Sequence, residues 1–156
     1  MNASSLSRPG TPRIAALILS IIDWANRFPS AILGLIIRVG IADVFWRSGQ
    51  TKVHGWNVTG SAIQLFREEY KLPLLSPVVA ANLAALQEHL FSFLLVIGLA
   101  SRLSALGLLL MTAVIEIFVY PENWPDHLLW TGLLLYIIVR GPGAFSLDEL
   151  IRRRFR

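Results

Sequence analysis

The chain has 156 residues, of which 54% are hydrophobic and only 15% charged, and it carries a net charge of +4 with a mean hydropathy of +0.59. Soluble domains hold about a quarter charged residues, so this balance points to lipid as the solvent and the length to one domain. With no cysteine present, disulfides, thiolate metal sites and thiol redox chemistry by the chain itself are excluded.

The chain opens with a polar stretch rich in Ser, Pro and Gly over residues 1–11, which predicts disorder. Arg8, Arg13 and the apolar run Ile14–Ile22 resemble the start of a signal peptide, yet Asp23-Trp24 follows where small residues should mark cleavage. Ile14, Leu17, Ile18, Ile21 and Ile22 fall on one helical face ahead of Asp23, Asn26 and Arg27. That spacing predicts an amphipathic helix on the membrane surface. Residues 1–28 are therefore read as a cytoplasmic tail with an interfacial helix.

A helix needs roughly 20 apolar residues to cross a bilayer. Four segments are candidates, at about 30–47, 77–100, 103–120 and 125–139, the fourth short at about fifteen residues, giving a membrane domain over 29–140. The Ala100-Ser101-Arg102 break makes the second and third segments antiparallel neighbours. The fold class expected is all-α: a transmembrane four-helix bundle with an N-terminal interfacial helix and a short helix in the outer loop. In that loop, Asn57-Val-Thr59-Gly60 can cap a helix from Ser61 to about Tyr70, with Ile63, Leu65, Phe66 and Tyr70 on its apolar side. Residues 141–156 form a basic tail.

Nine of the fourteen basic residues flank one side of these segments: Arg8, Arg13, Arg27, Arg102, Arg140, Arg152, Arg153, Arg154 and Arg156. The positive-inside rule then puts both termini in the cytoplasm. Trp46, Trp56, Trp124 and Trp130 lie toward the outer interface. The C-terminal arginines have no aromatic-interleaved platform, so membrane lipid rather than nucleic acid is their expected partner.

An ionisable residue at mid-bilayer costs about 3 kcal/mol and is expected to face the bundle interior. Arg38, Asp43, Glu88, His89 and Glu116 fall within the apolar segments, and His127 near the outer end of the fourth. Asp43 and Arg47 are spaced to pair along one face. Glu88 and His89 stand about 100° apart around their helix. Together these groups lean toward the outer side, and one polar cavity beneath the loop would gather them. Two readings stay open: ion pairs that fix helix packing, or a site in which Glu88 and His89 relay a proton while Arg38, Glu116 and His127 contact a ligand. No metal is assigned, because His54, His89, His127, Glu88 and Glu116 show no H-x-x-x-H or E-x-x-H spacing.

The order of short motifs resembles the DoxX family, small four-helix membrane proteins of bacteria and archaea. The residues that carry the likeness are Arg38 within the first segment, Gly49-x-x-Lys52 at its end, Glu88 in the second and Gly98-Leu-x-x-Arg102 at the turn. The likeness extends over about Pro29–Val139. It implies functional or packing roles for Arg38, Lys52 and Glu88, with Lys52 joining the ligand contacts. It also implies a link to membrane redox systems, since members accompany quinone-reducing complexes and others answer oxidative or thiol stress. A quinone-binding subunit of an oxidoreductase is thus one expectation, with quinone the candidate cofactor and no self-contained catalytic motif. The other is a non-enzymatic scaffold for a redox, metal-handling or stress-response protein. Either requires a partner protein or a homo-oligomer.

Overall fold

Four long helices pack in a closed ring, α2 (Ser30–Gln50) on α4 (Pro77–Ile97), α4 on α5 (Ser101–Phe118), α5 on α6 (Trp124–Arg140) and α6 back on α2. The computed structural model describes residues 13–155, so the polar stretch 1–11 expected to be disordered lies outside the described residues. The described chain is all-α apart from one two-stranded hairpin. Helix α1 (Arg13–Asn26) precedes the ring, β1 (Val53–His54) and β2 (Asn57–Val58) form the hairpin, α3 (Gly60–Leu65) follows it, and α7 (Leu147–Arg154) closes the chain.

Local sequence sets these boundaries. Pro77 occupies the first turn of α4, where a missing N–H costs nothing, and the Ser76 hydroxyl accepts from the Val79 amide. Gly98 ends α4 in the left-handed region at φ +71°. A Cβ there would collide with the Arg38 guanidinium and with Ser146, so the position needs glycine for both backbone and space. The Thr59 side chain caps α3. Beyond Leu65 the coil widens into a π-helical turn over Phe66–Tyr70 and stops at Lys71, itself left-handed. Asp43 and Arg47 pair at 2.8 Å on the exposed face of α2.

Ile41, Phe45, Leu95, Leu108, Leu134 and Ile137 fill the ring's interior, with Ala42 and Ala105 where backbones approach. In lipid, apolar exclusion does not drive helices together; close packing does, and small residues permit it. A second cluster sets Phe66 of the loop on Ala80, Ala81 and Ala84 of α4. Leu86, Leu90, Phe93, Ile117, Leu128 and Leu129 point outward and stay exposed, as a surface wetted by lipid would.

By length and composition α4 and α5 can each cross a membrane, and α1 with α2 counts as a third candidate if the bent pair is one span. The break between α1 and α2 bends their axes by 64°. The apolar face of α1, with Ile14, Leu17, Ile18, Ile21 and Ile22, is exposed. Helix α7 was not expected from the sequence. Ser146 caps it, Asp148 and Glu149 occupy its first turn and Arg152–Arg154 its last, which complements the helix dipole at both ends.

Candidate functional site

The deepest charged contact joins the end of α2 to the middle of α4. Just past α2, Lys52 folds back so that Nζ donates to the Ser48 carbonyl at 3.2 Å, to Ser48 Oγ at 3.0 Å and to Glu88 Oε1 at 2.8 Å. Lys52 is 5% exposed and Glu88 1%. The contact depends on Gly49, since a Cβ there would lie 2.7 Å from the His89 ring and 3.1 Å from Glu88 Cβ. The three ammonium protons of Lys52 are thereby matched by acceptors. Glu88 keeps one oxygen, Oε2, buried without a hydrogen-bond partner among the described residues.

An apolar cavity of about 370 Å³ adjoins this pair. Its walls are α4 (Leu83, Ala84, Gln87, Phe91), α5 (Leu106, Gly107, Leu110, Met111) and the loop (Phe66, Tyr70, Leu72), with Lys52 and Glu88 in its lining. Leu83, Leu106 and Leu110 on the rim are exposed, so the cavity opens sideways toward lipid. Its volume falls within the usual range for small-molecule sites, and it has their pattern of apolar walls with few polar groups. The Tyr70 ring stacks on Phe66 at 4.2 Å between centroids. Burial first, then the negative charge of Glu88, pushes the Tyr70 phenol well above its ordinary range, so it stays a hydrogen-bond donor. Across the loop, the Tyr120 hydroxyl donates to Glu69, tying the π-helical turn to the end of α5.

The other predicted residues lie elsewhere. His89 turns away from Glu88: Nδ1 lies 2.7 Å from the Ala85 carbonyl and Nε2 lies 2.9 Å from the Gln50 amide nitrogen. A carbonyl only accepts, so Nδ1 is the donor toward Ala85. Trp46 meets that ring edge-on at 5.0 Å, and both line a separate groove with Trp56 and Asn82. Among the described residues Glu88 and His89 make no hydrogen bond to each other, because consecutive helical residues face different neighbours. Glu116 and His127 pair with each other at 2.5 Å between α5 and α6, beside Thr112 and Thr131.

Arg38 is fully buried at the opposite end of the ring. It donates to the Leu95 carbonyl at 3.1 Å and to the Phe145 carbonyl. Lys52 is fourteen residues further on, roughly 20 Å along the helix at 1.5 Å per residue. One shared polar cavity for Arg38, Glu88, Glu116 and His127 is thus not what forms; the charges separate into three places. Of the ligand contacts expected, only Lys52 stands with Glu88. Tyr70 and Gln87 were not among the candidates. Gln87 follows Ala84 by three residues on the cavity face of α4, a helical spacing that could have found it.

The DoxX family pattern matches residues 33–121, more than half of the chain. All of the cavity lining falls inside that stretch, whereas His127 and α7 fall outside it. A protein of Haemophilus influenzae, described only as uncharacterized, is 30% identical over 132 residues, covering 80% of this chain and 86% of that protein. No solved structure matches. An apolar helical ring carrying this pattern from Leu33 to Pro121 gives one assignment: the chain belongs to the DoxX family of integral membrane proteins.

Proposed function

We propose that the cavity beside Lys52 and Glu88 binds the headgroup of a membrane quinone, and that the protein is the quinone-binding subunit of a redox system. The observation that carries this reading is the buried Lys52–Glu88 pair in the lining of an apolar cavity with exposed rim residues, where Glu88 Oε2 has no hydrogen-bond partner among the described residues. A buried unsatisfied oxygen is costly, and a ligand donor or a proton would satisfy it. A quinone headgroup is flat and apolar with carbonyl acceptors at its edge, and it reaches a protein through the bilayer. When bound it supplies an acceptor for two electrons and two protons.

Each side chain then has a role. The Tyr70 hydroxyl and the Gln87 amide donate to a quinone carbonyl and orient the ring. Glu88, ionised beside Lys52 at rest, takes up a proton on Oε2 and passes it to the same edge, once for each of the two protons the quinone needs, while Lys52 fixes its other oxygen. Leu83, Phe91, Leu106 and Met111 exclude water. The electrons come from a partner protein or a neighbouring subunit. The Arg-rich end, with α7 and the turn at Arg102, supports an inner-membrane orientation with both termini cytoplasmic, so the quinone cavity lies toward the outer leaflet.

Purification in mild detergent followed by mass spectrometry of extracted lipids tests the reading. Quinone should accompany the wild-type protein and fall in Glu88→Gln and Tyr70→Phe, with the helical content of each variant unchanged. Equal retention in all three would remove Glu88 from the site. Absence of quinone from every preparation would leave a scaffold for another membrane protein as the better account.

A further inference from the structure

A second cleft, of about 720 Å³, lies at the basic end between the α4–α5 turn, the end of α6 and the start of α7. Arg102, Arg140 and Arg152 line it together with the main chain of residues 141–144. Its two carboxylates are already engaged. Asp148 accepts from the Ala100 and Ser101 amides at 2.7 and 2.9 Å. Glu149 accepts from Arg152 at 2.6 Å and from Arg153 at 2.7 Å.

Among the described residues neither Arg102 nor Arg140 makes an ion pair. The Arg102 guanidinium rests against Gly141, where a Cβ would sit 3.3 Å from its Nη2, so it reaches the residue that follows Arg140. Two unneutralised guanidinium forks from different helices thus meet at one cleft. Planar forks of this kind suit phosphate oxygens, which accept two parallel N–H bonds from each.

The surroundings indicate where the phosphate comes from. Leu103, on the cleft wall, is 66% exposed, and Leu147, Leu150 and Ile151 of α7 are exposed beside the arginines. A cationic wall joined to apolar side chains, at the end of the spanning helices, matches an anionic amphiphile better than a soluble ion. We infer that this cleft is a specific site for the phosphodiester headgroup of an anionic phospholipid, clamped by Arg102 and Arg140. The cleft shares the Leu103 wall with the cavity beside Lys52 but none of its polar residues, and the inference stands without the quinone reading.

The test uses the full chain in phosphatidylcholine nanodiscs, with or without phosphatidylglycerol, read by native mass spectrometry and thermal unfolding. Phosphatidylglycerol should raise the wild-type Tm and remain bound. In Arg102→Gln/Arg140→Gln its retention should fall about tenfold or more, the scale expected for losing a charged hydrogen-bonding group. The Arg153→Gln/Arg154→Gln control should retain it. A control that loses as much lipid as the cleft variant would overturn the proposal, because a diffuse basic surface would then explain binding. Stabilisation by inorganic phosphate, with displacement of the lipid, would overturn the lipid assignment. If the glutamine pair does not fold, Arg102→Lys/Arg140→Lys keeps the charge and removes the fork. Severalfold weaker retention supports the clamp, and unchanged retention contradicts it.

Discussion

The two ends of the ring each bury a cation, in different ways. Arg38 at the basic end donates to the Leu95 and Phe145 carbonyls, while its buried Nε has no partner among the described residues, and it ties α2 to α4 and to the segment before α7. Nearby, Asp148 caps α5 and its own amide donates to the Gly98 carbonyl at 2.8 Å, so the C-terminal segment is stitched to the α4–α5 turn. Lys52 at the loop end meets a carboxylate instead, and that carboxylate has an oxygen left over beside an open apolar cavity. The contrast separates a clamp from a site. Each end leaves one buried polar atom unsatisfied; what distinguishes them is open space, because Lys52 and Glu88 line a cavity that a ligand can enter, whereas Arg38 is closed in by the segments it holds together.

Mutation can break this contrast, and the largest effect is expected at the ion pair. Lys52→Met leaves Glu88 buried without its cation and should cost about 3–5 kcal/mol in reversible detergent unfolding. Adding Glu88→Leu should recover most of that stability, since an apolar pair of similar volume is roughly neutral, while quinone retention stays lost. A double variant as unstable as the single would show that the two side chains do not act as a unit.

Arg38→Met should cost about 3 kcal/mol, because two buried carbonyls lose a charged donor. Quinone retention by the folded fraction should not change. A fall in retention would join the two ends that the structure keeps apart.

Tyr120→Phe should cost about 1 kcal/mol or less and raise hydrogen exchange across Phe66–Tyr70. The hydrogen bond to Glu69 holds the Tyr120 phenol above its ordinary value of 10.0. A raised folded-state pKa means the contribution is full below pH 10 and is lost as pH rises through the folded value. Exchange in the wild-type loop should therefore increase in that alkaline window, and the phenylalanine variant should show no such step.

The smallest effect is at α7. Hydrogen bonds from Arg152 and Arg153 lower the Glu149 carboxyl from 4.5 to about 2. Its contribution is present above pH 4.5 and is lost as pH falls through about 2. Carboxyl NMR should place the folded midpoint near the lower value, and Arg152→Gln should move it back toward the ordinary one.

Much of the architecture was legible because it follows from composition and a few strong signals. Apolar runs, the Ser76-Pro77 start, the Gly98 stop and the Thr59 cap mark α4, the turn after it and the loop helix, and the all-α class follows. Asp43 and Arg47 pair as their spacing requires. The site was harder to read because it depends on contacts distant in sequence. Lys52 and Glu88 are thirty-six residues apart, and nothing local to either names the other. Depth along the helices grouped Arg38, Glu116 and His127 with Glu88, but rotation around the helix axes and the distance from Arg38 separate them. Tyr70 looked like an ordinary apolar contact of the loop helix; its role appears only once the π-helical turn brings its ring to the cavity. Helix α7 escaped notice because eight residues with five charges carry too little apolar signal against a basic tail.

Photo-crosslinking with a quinone analogue, followed by peptide mapping, tests the central claim most directly. The account predicts adducts on the cavity face of α4 and α5, at Phe91, Leu106 or Met111, competed by unlabelled quinone and lost in Glu88→Gln. Adducts on the Trp46–His89 groove, or labelling spread over the outward leucines and insensitive to Glu88, would contradict it.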